Sequence, residues 1–290
     1  MKVGIVGAGK VGCSIGKYMV EHGVTVTGYS SKSKESVDVA ATFTKTRAFD
    51  TLQSLVAESD LIFIATPDDK IEEVWKEIAQ FSIQGKILCH FSGSLSSVVF
   101  SNREEKGVIA CSLHPMYAFS DKFTSYEKLN QVMFTAEGDD KALAIVCPLF
   151  EQIGNDVSVI PSDKKVRYHA AASIVSNMMI GLYEKSIRML MDCGFERETA
   201  RKLVKPLVAG NIQNLLQTSP EEALTGPIER SDIGTVKKHL QQLADDERQL
   251  YVNLAWELLT IAKRKNENRD YDALAALFRQ TDAKHDRMED

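Results

Sequence analysis

The chain starts with a short apolar run, Val3–Val6, that passes directly into Gly7-x-Gly9-x-x-Gly12 and then into a helical pattern, "VGIVGAGKVGCSIGKYM" over residues 3–19. Three glycines at this spacing, between a strand and a helix, leave few folds open. The first permits a tight turn, the second lets the backbone approach a pyrophosphate, and the third lets the helix pack closely on the strand. The helix start beyond them offers unpaired N–H groups and a partial positive charge, which suit phosphate. Gly7, Ala8, Gly9, Lys10, Val11 and Gly12 are therefore candidate cofactor-binding residues. The competing reading is a glycine-rich turn without a ligand.

The end of the second strand bears on which dinucleotide is bound. NAD sites usually place Asp or Glu there, to bind the ribose 2′-hydroxyl. Here "VTVTGY" (24–29) runs into "SSKSK" (30–34), and no carboxylate occurs before Glu35. Ser30, Ser31 and Lys32 offer hydroxyls and a cation suited to a 2′-phosphate. NADPH is therefore expected over NADH, against the alternative of a solvated polar loop. Ala65, Thr66 and Pro67, at the end of a later strand, are expected to line the same cofactor.

Strand patterns at Val3–Val6, Val24–Thr27, Leu61–Ala65, Ile87–His90, Val108–Leu113, Val132–Thr135 and Val157–Ile160 are short and mostly apolar throughout. Strands covered on both faces read this way. Helical patterns lie between several of them, as in βαβ units. In "TPDDKIEEVWKEI" (66–78), Asp69 with Glu72 has the spacing of a capping box. From Lys165 onward the periodicity is helical and strand signals cease. The expected architecture is α/β: a Rossmann-type doubly wound sheet over 1–160, followed by an all-α domain over 161–290. The polar residues 282–290 are expected to fray.

A net charge of −5 gives no basic excess for nucleic acid. The five cysteines are odd in number, widely spaced and without a C-x-x-C pair, which argues against a disulfide framework or a metal site. No apolar run approaches the length of a bilayer span, and the glycine-interrupted N-terminus does not read as a signal peptide. A cytoplasmic protein without metal, membrane or nucleic-acid partners is expected.

Substrates of doubly wound sheets bind beyond the carboxyl ends of the strands. Two such ends carry polar turns: "HFSGSLSS" (90–97) with Ser92, and "SLHPMYAFS" (112–120) with His114. In "DKKVRYHAAASIVSNMM" (163–179), Lys165, His169, Ser173 and Asn177 follow at four-residue steps and form one row on a helix. Val166, Ala170, Ile174, Met178 and Leu182 form a neighbouring apolar row, expected to be buried. Lys165 or His169 could supply a proton and Asn177 could hold a developing oxyanion, with Ser173 in the same row. In "LTGPIERSDIGTVKKHL" (224–240), Arg230 has the planar fork that clamps a carboxylate, and Asp232 lies beside it. The bland alternatives are capped turns, a packed histidine, a solvated helix face and a loop ion pair.

Taken together, the glycine motif, "TPDD", "HFSGS", "LHPM", "KVRYHAAASIVSN" and "LTGPIERSDIGTVKKHL" resemble one family over nearly the whole chain. It is the Rossmann-like NADP-dependent oxidoreductases whose helical C-terminal domain was long labelled as of unknown function, within the 6-phosphogluconate dehydrogenase-like superfamily. Ser231 departs from the pattern, which has glycine after the arginine. Some members look like an alternative form of ketopantoate reductase in pantothenate biosynthesis. The resemblance thus implies an NADPH-dependent reduction of a small 2-oxo acid, ketopantoate to pantoate, and a homodimer built through the helical domain. "SGS…HPM" is also similar to prephenate dehydrogenases, and a non-catalytic NADP-sensing regulator is the alternative from another class.

Overall fold

Strand β1 (Val3–Val6) is buried along its whole length because both of its faces are covered. Val3 and Ile5 enter one core and Val6 the other, and the same alternation recurs in β4 (Leu61–Ile64), where Leu61 and Phe63 face one way and Ile62 and Ile64 the other. Period-two packing on two covered faces explains why these strands carry no polar face. The computed structural model describes residues 1–286.

The sheet has eight strands in the order β3-β2-β1-β4-β5-β6-β7-β8. They include β2 (Val26–Ser30), β3 (Arg47–Ala48), β5 (Ile87–His90), β6 (Ile109–Pro115), β7 (Phe134–Gly138) and β8 (Val157–Val159). All neighbours are parallel except β6 and β7. The order reverses between β1 and β4, which is the switch point where an α/β sheet opens a ligand cleft. Helices α1 (Lys10–Glu21), α2 (Lys34–Thr44), α3 (Leu52–Glu58), α4 (Asp68–Ile78) and α5 (Asp140–Gln152) connect the strands.

The expected Asp69–Glu72 capping box does not form. Helix α4 starts at Asp68, with Pro67 at its N-cap and no side-chain cap. The fixed φ of proline sets the helix entrance two residues ahead of where an Asp69 cap would place it.

By internal contacts the chain divides between Leu182 and Tyr183. The first unit therefore keeps α6 (Lys165–Ser173), a π-helical turn (Ile174–Met178) and the start of α7 (Met179–Asp192), beyond the 160/161 position where strand signals end. The second unit holds α8 (Arg197–Gln217), α9 (Pro220–Ala223), α10 (Ile233–Gln242), α11 (Asp245–Lys265) and α12 (Asp272–Asp286). Its core is Val236, Leu240, Val252, Leu259, Leu274 and Phe278 with their neighbours. Helix α12 runs to Asp286, and residues 287–290 of the expected frayed end lie outside the described residues.

Ser231 occupies a left-handed conformation, φ +57°, and its Oγ donates to Asp270 O at 2.9 Å. The position is one that glycine would fill without strain. Serine keeps the loop's geometry and ties it to the segment before α12.

Candidate active site

The glycine motif folds into a phosphate cradle. Gly7 has φ +104°, and a Cβ there would stand 2.7 Å from Ala65 O. A Cβ at Gly12 would collide with Gly7 O, so α1 packs directly on the turn. A Cβ at Gly9 would meet nothing within 4 Å, so open space lies over the turn. Helix α1 starts there with Gly9 as N-cap, no side-chain cap and no acid in its first turn. Its leading N–H groups are left for an anion.

Beside the cradle lies a cleft of about 540 Å³ whose lining includes Ser30, Ser31, Lys32, Thr66, Pro67 and Glu73. Lys32 Nζ donates to Glu73 Oε1 at 2.6 Å, and Lys70 Nζ stands 3.5 Å from the other oxygen of the same carboxylate. The Lys32 charge, with Lys70 beside it, holds the Glu73 carboxyl below its usual range. Thr66 Oγ1 is buried and has no hydrogen-bond partner among the described residues. Bare helix N–H groups, open space at Gly9, an unsatisfied hydroxyl and two lysines, which share the rim with Asp50, Glu73 and Glu77, together fit a phosphorylated dinucleotide.

A second cluster forms past the ends of β5 and β6. Lys165 opens α6 yet is only 1% exposed. Its Nζ donates to Ser92 O at 2.8 Å and to Ser112 Oγ at 2.5 Å. Burial lowers its pKa, while the charges of Glu137, Cys89 and Asp68 work in the other direction. Ser92 Oγ donates to Asp68 Oδ2 at 2.7 Å and accepts from the backbone N–H groups of Ser94 and Leu95. The Ser92 hydroxyl thus shapes the turn whose carbonyl holds Lys165.

His114 shares a 2.9 Å hydrogen bond between its Nδ1 and the hydroxyl of Tyr168, and its ring meets that of His169 edge-on with centroids 5.8 Å apart. Burial first, then the charges of Lys165 and His169, push His114 down to about 4. Gly93 lies under both imidazoles. A Cβ there would collide with His169 Nδ1 and stand 2.8 Å from His114 Nε2. His169 Nδ1 is buried without a hydrogen-bond partner among the described residues.

The first unit therefore brings Ser92 and His114, from the strand-end turns, together with Lys165 and His169, from the helical row. The neighbouring apolar row is not buried as expected. Val166 is 71%, Ile174 63% and Met178 57% exposed, while the polar Lys165 points inward. The sheet edge offers a carbonyl, a hydroxyl and a buried carboxylate, and these draw the ammonium in. The row also ends at Ser173, because the π-helical turn breaks the four-residue step. Ser173 is half-buried, and Asn177 is exposed and accepts a hydrogen bond from Ser176 Oγ at 3.1 Å.

Arg230 and Asp232 belong to the second unit. Arg230 is exposed. The Asp232 carboxylate caps α10, accepting from Thr235 N at 3.0 Å and from Thr235 Oγ1 at 2.7 Å. Sequence reasoning missed Tyr168, Asp68, Ser112 and Glu137. A carboxylate inside the apolar run of β7 was the available signal for Glu137.

A glycine turn under a bare helix N-terminus at the switch point, with a buried lysine held between the end of β5 and strand β6, is the arrangement of a Rossmann-like domain. Residues 1–115 match the family described as Rossmann-like domain, and residues 132–258 match the domain of unknown function DUF2520. The two matches fall on successive parts of the chain, the first on the sheet and the second running from β7 into the helical region.

Among solved structures, protein TM1727 from Thermotoga maritima is 26% identical, with a TM-score of 0.73 over 91% of this chain and 99% of that one. A provisional NADP oxidoreductase, BF3122 from Bacteroides fragilis, is 20% identical with a TM-score of 0.67, over 89% and 98%. A Plasmodium falciparum pyrroline carboxylate reductase with NADP bound is 15% identical with a TM-score of 0.58, over 91% and 96%. At the last two identities the likeness is one of fold. No curated protein sequence matches the chain.

Proposed function

We propose that the protein is an NADPH-dependent reductase of a small 2-oxo acid, and that its substrate is ketopantoate, reduced to pantoate. The observation that carries the reading is Lys165, a buried ammonium held by Ser92 O and Ser112 Oγ beyond the strand ends, in the same unit as the nucleotide cradle. When bound, the cofactor supplies a hydride to the carbonyl carbon.

The chain's own residues supply the rest. The α1 N-terminus and the Gly7–Gly12 turn hold the pyrophosphate, Ala65, Thr66 and Pro67 flank it, and Ser30, Ser31 and Lys32 take the 2′-phosphate. Lys165 Nζ gives its proton to the oxygen that gathers charge. Desolvation makes it a stronger acid than a surface lysine. His114 is neutral near pH 7 and cannot be that donor as an imidazolium; with Tyr168 it walls the site. His169, packed on Gly93, is the rival donor. Exposed Leu203, Leu207 and Leu216 on α8 support a second copy of this chain as the partner, forming a homodimer through the helical domain.

A screen of NADPH oxidation against ketopantoate, prephenate and pyrroline-5-carboxylate tests the reading. Turnover with ketopantoate supports it. Turnover restricted to another of these compounds replaces the substrate, and NADPH binding without any turnover turns the protein into a sensor.

A further inference from the structure

Glu137 lies on β7, next to the edge strand β8, and is 1% exposed. A buried carboxylate is costly unless several donors meet it. Here Ser97 N at 2.7 Å, Ser97 Oγ at 3.1 Å and Ser162 Oγ at 2.5 Å donate to it. Ser112 is its direct partner in the antiparallel β6–β7 ladder, so the hydroxyl and the carboxylate stand side by side on one face of the sheet. Burial raises the Glu137 pKa, but the hydroxyls of Ser162 and Ser112, the N–H of Ser97 and the charge of Lys165 outweigh it and hold the group below its usual range.

Ser112 Oγ also accepts from Lys165 Nζ at 2.5 Å. Ser162, at the other end, is exposed and precedes α6. Lys165 Nζ bonds Ser112 Oγ at one end and Ser162 Oγ bonds the Glu137 carboxylate at the solvent end, and the β6–β7 ladder sets Ser112 and Glu137 side by side between them. The reduction proposed above leaves this row without a task, although a donor that gives up its proton while buried needs another before the next turnover.

We propose that Ser162, Glu137 and Ser112 are a proton relay that recharges Lys165 from solvent, on a side separate from the bound substrate. The inference rests on the reading of Lys165 as the proton donor. The balance is one proton in and one proton out, with no electrons moved along the row. The Lys165 N–H bond breaks as the substrate oxygen takes the proton, leaving a neutral amine. A solvent proton bonds to Ser162 Oγ while the original Ser162 hydroxyl proton passes to Glu137. The Ser112 hydroxyl then turns and gives its proton to Nζ, and the Glu137 carboxyl proton replaces it on Ser112 Oγ. Other titratable groups face the ammonium: Asp68 from α4, Cys89 from β5 and Cys111 from β6, with the imidazoles of His90 and His114 beside it. Asp68 is exposed, but it bonds the hydroxyls of Ser92 and Ser94, neither of which touches Nζ, whereas Glu137 stands beside Ser112, whose hydroxyl does.

The test compares the first turnover with the steady state, across pH, for Glu137→Gln and Ser162→Ala. Lys165 starts charged, so first-turnover NADPH oxidation should stay within about threefold of the parent, while steady-state kcat falls about tenfold or more. The fall should be steeper at high pH, where solvent protons are scarce, and Glu137→Asp should restore part of kcat. Ser162→Ala alters neither contact of Lys165, so it decides the matter if Glu137→Gln folds poorly. Steady-state rates unchanged at every pH would overturn the relay, as would equal losses in both phases. If Lys165→Met itself keeps full turnover, the reading of the donor fails instead.

Discussion

Replacing Lys165 by Met keeps the bulk of the side chain and removes the ammonium, which separates what the charge does for the fold from what it does for the reaction. The turnover of a general acid is worth roughly 10²–10⁴-fold, so kcat should fall by that factor. Stability should fall too, because Glu137 remains buried without its counter-charge. Removing one partner of a buried pair costs about 3–5 kcal/mol. Glu137 keeps its bonds from Ser97 and Ser162, so the loss should lie at or below the low end of that range. Adding Glu137→Gln removes the stranded charge. The double variant should regain most of the stability and none of the turnover. Urea unfolding followed by circular dichroism gives the first quantity, and NADPH oxidation gives the second. A double variant no more stable than Lys165→Met would refute the coupling, and a single variant with near-full kcat would refute the donor.

Gly93→Ala should push His169 and His114 off the turn and lower kcat more than it lowers the melting temperature, because the atoms that must move are imidazoles rather than backbone; steady-state kinetics beside a thermal melt checks this. Lys32→Glu should lower or reverse the preference for NADPH over NADH, since it places a carboxylate where the 2′-phosphate is expected and sets it against Glu73; fluorescence titration with both cofactors measures it. His90 and His114 are both held at about 4 by burial, against 6.5 in the unfolded chain. As pH falls below 6.5 the unfolded state takes up these protons first, so stability is lost down to about pH 4, and unfolding midpoints across that window should fall less in a His114→Gln variant.

The glycine motif and the strand positions were legible because each reflects one local rule: turn geometry in the first case, two covered faces in the second. The residues Ser92, His114, Lys165 and His169 were legible because strand ends and helical spacing place them coarsely. What those side chains face was not. The apolar row from Val166 to Met178 reads as buried from composition alone, but a deep carboxylate and two oxygens across the sheet edge turned Lys165 inward and left that row outside. The π-helical turn has no signature in spacing, so Asn177 could not be placed by counting fours. Strand β3, two exposed residues, offers no periodicity to find. Asp68 and Glu137 act through partners 24 or more residues away, Ser92 for the first and Ser97, Ser112 and Ser162 for the second, and contacts at that range cannot be read from a local window.

The central claim is that this chain passes a hydride from NADPH to the carbonyl carbon of a 2-oxo acid while Lys165 protonates the oxygen. Incubation with NADPH deuterated at the transferring position of the nicotinamide, with ketopantoate, followed by mass spectrometry of the product, tests it most directly. The account predicts pantoate carrying one deuterium on the carbinol carbon, and no such product from Lys165→Met within the same time. Unlabelled product, or labelled product formed equally fast without Lys165, would contradict it.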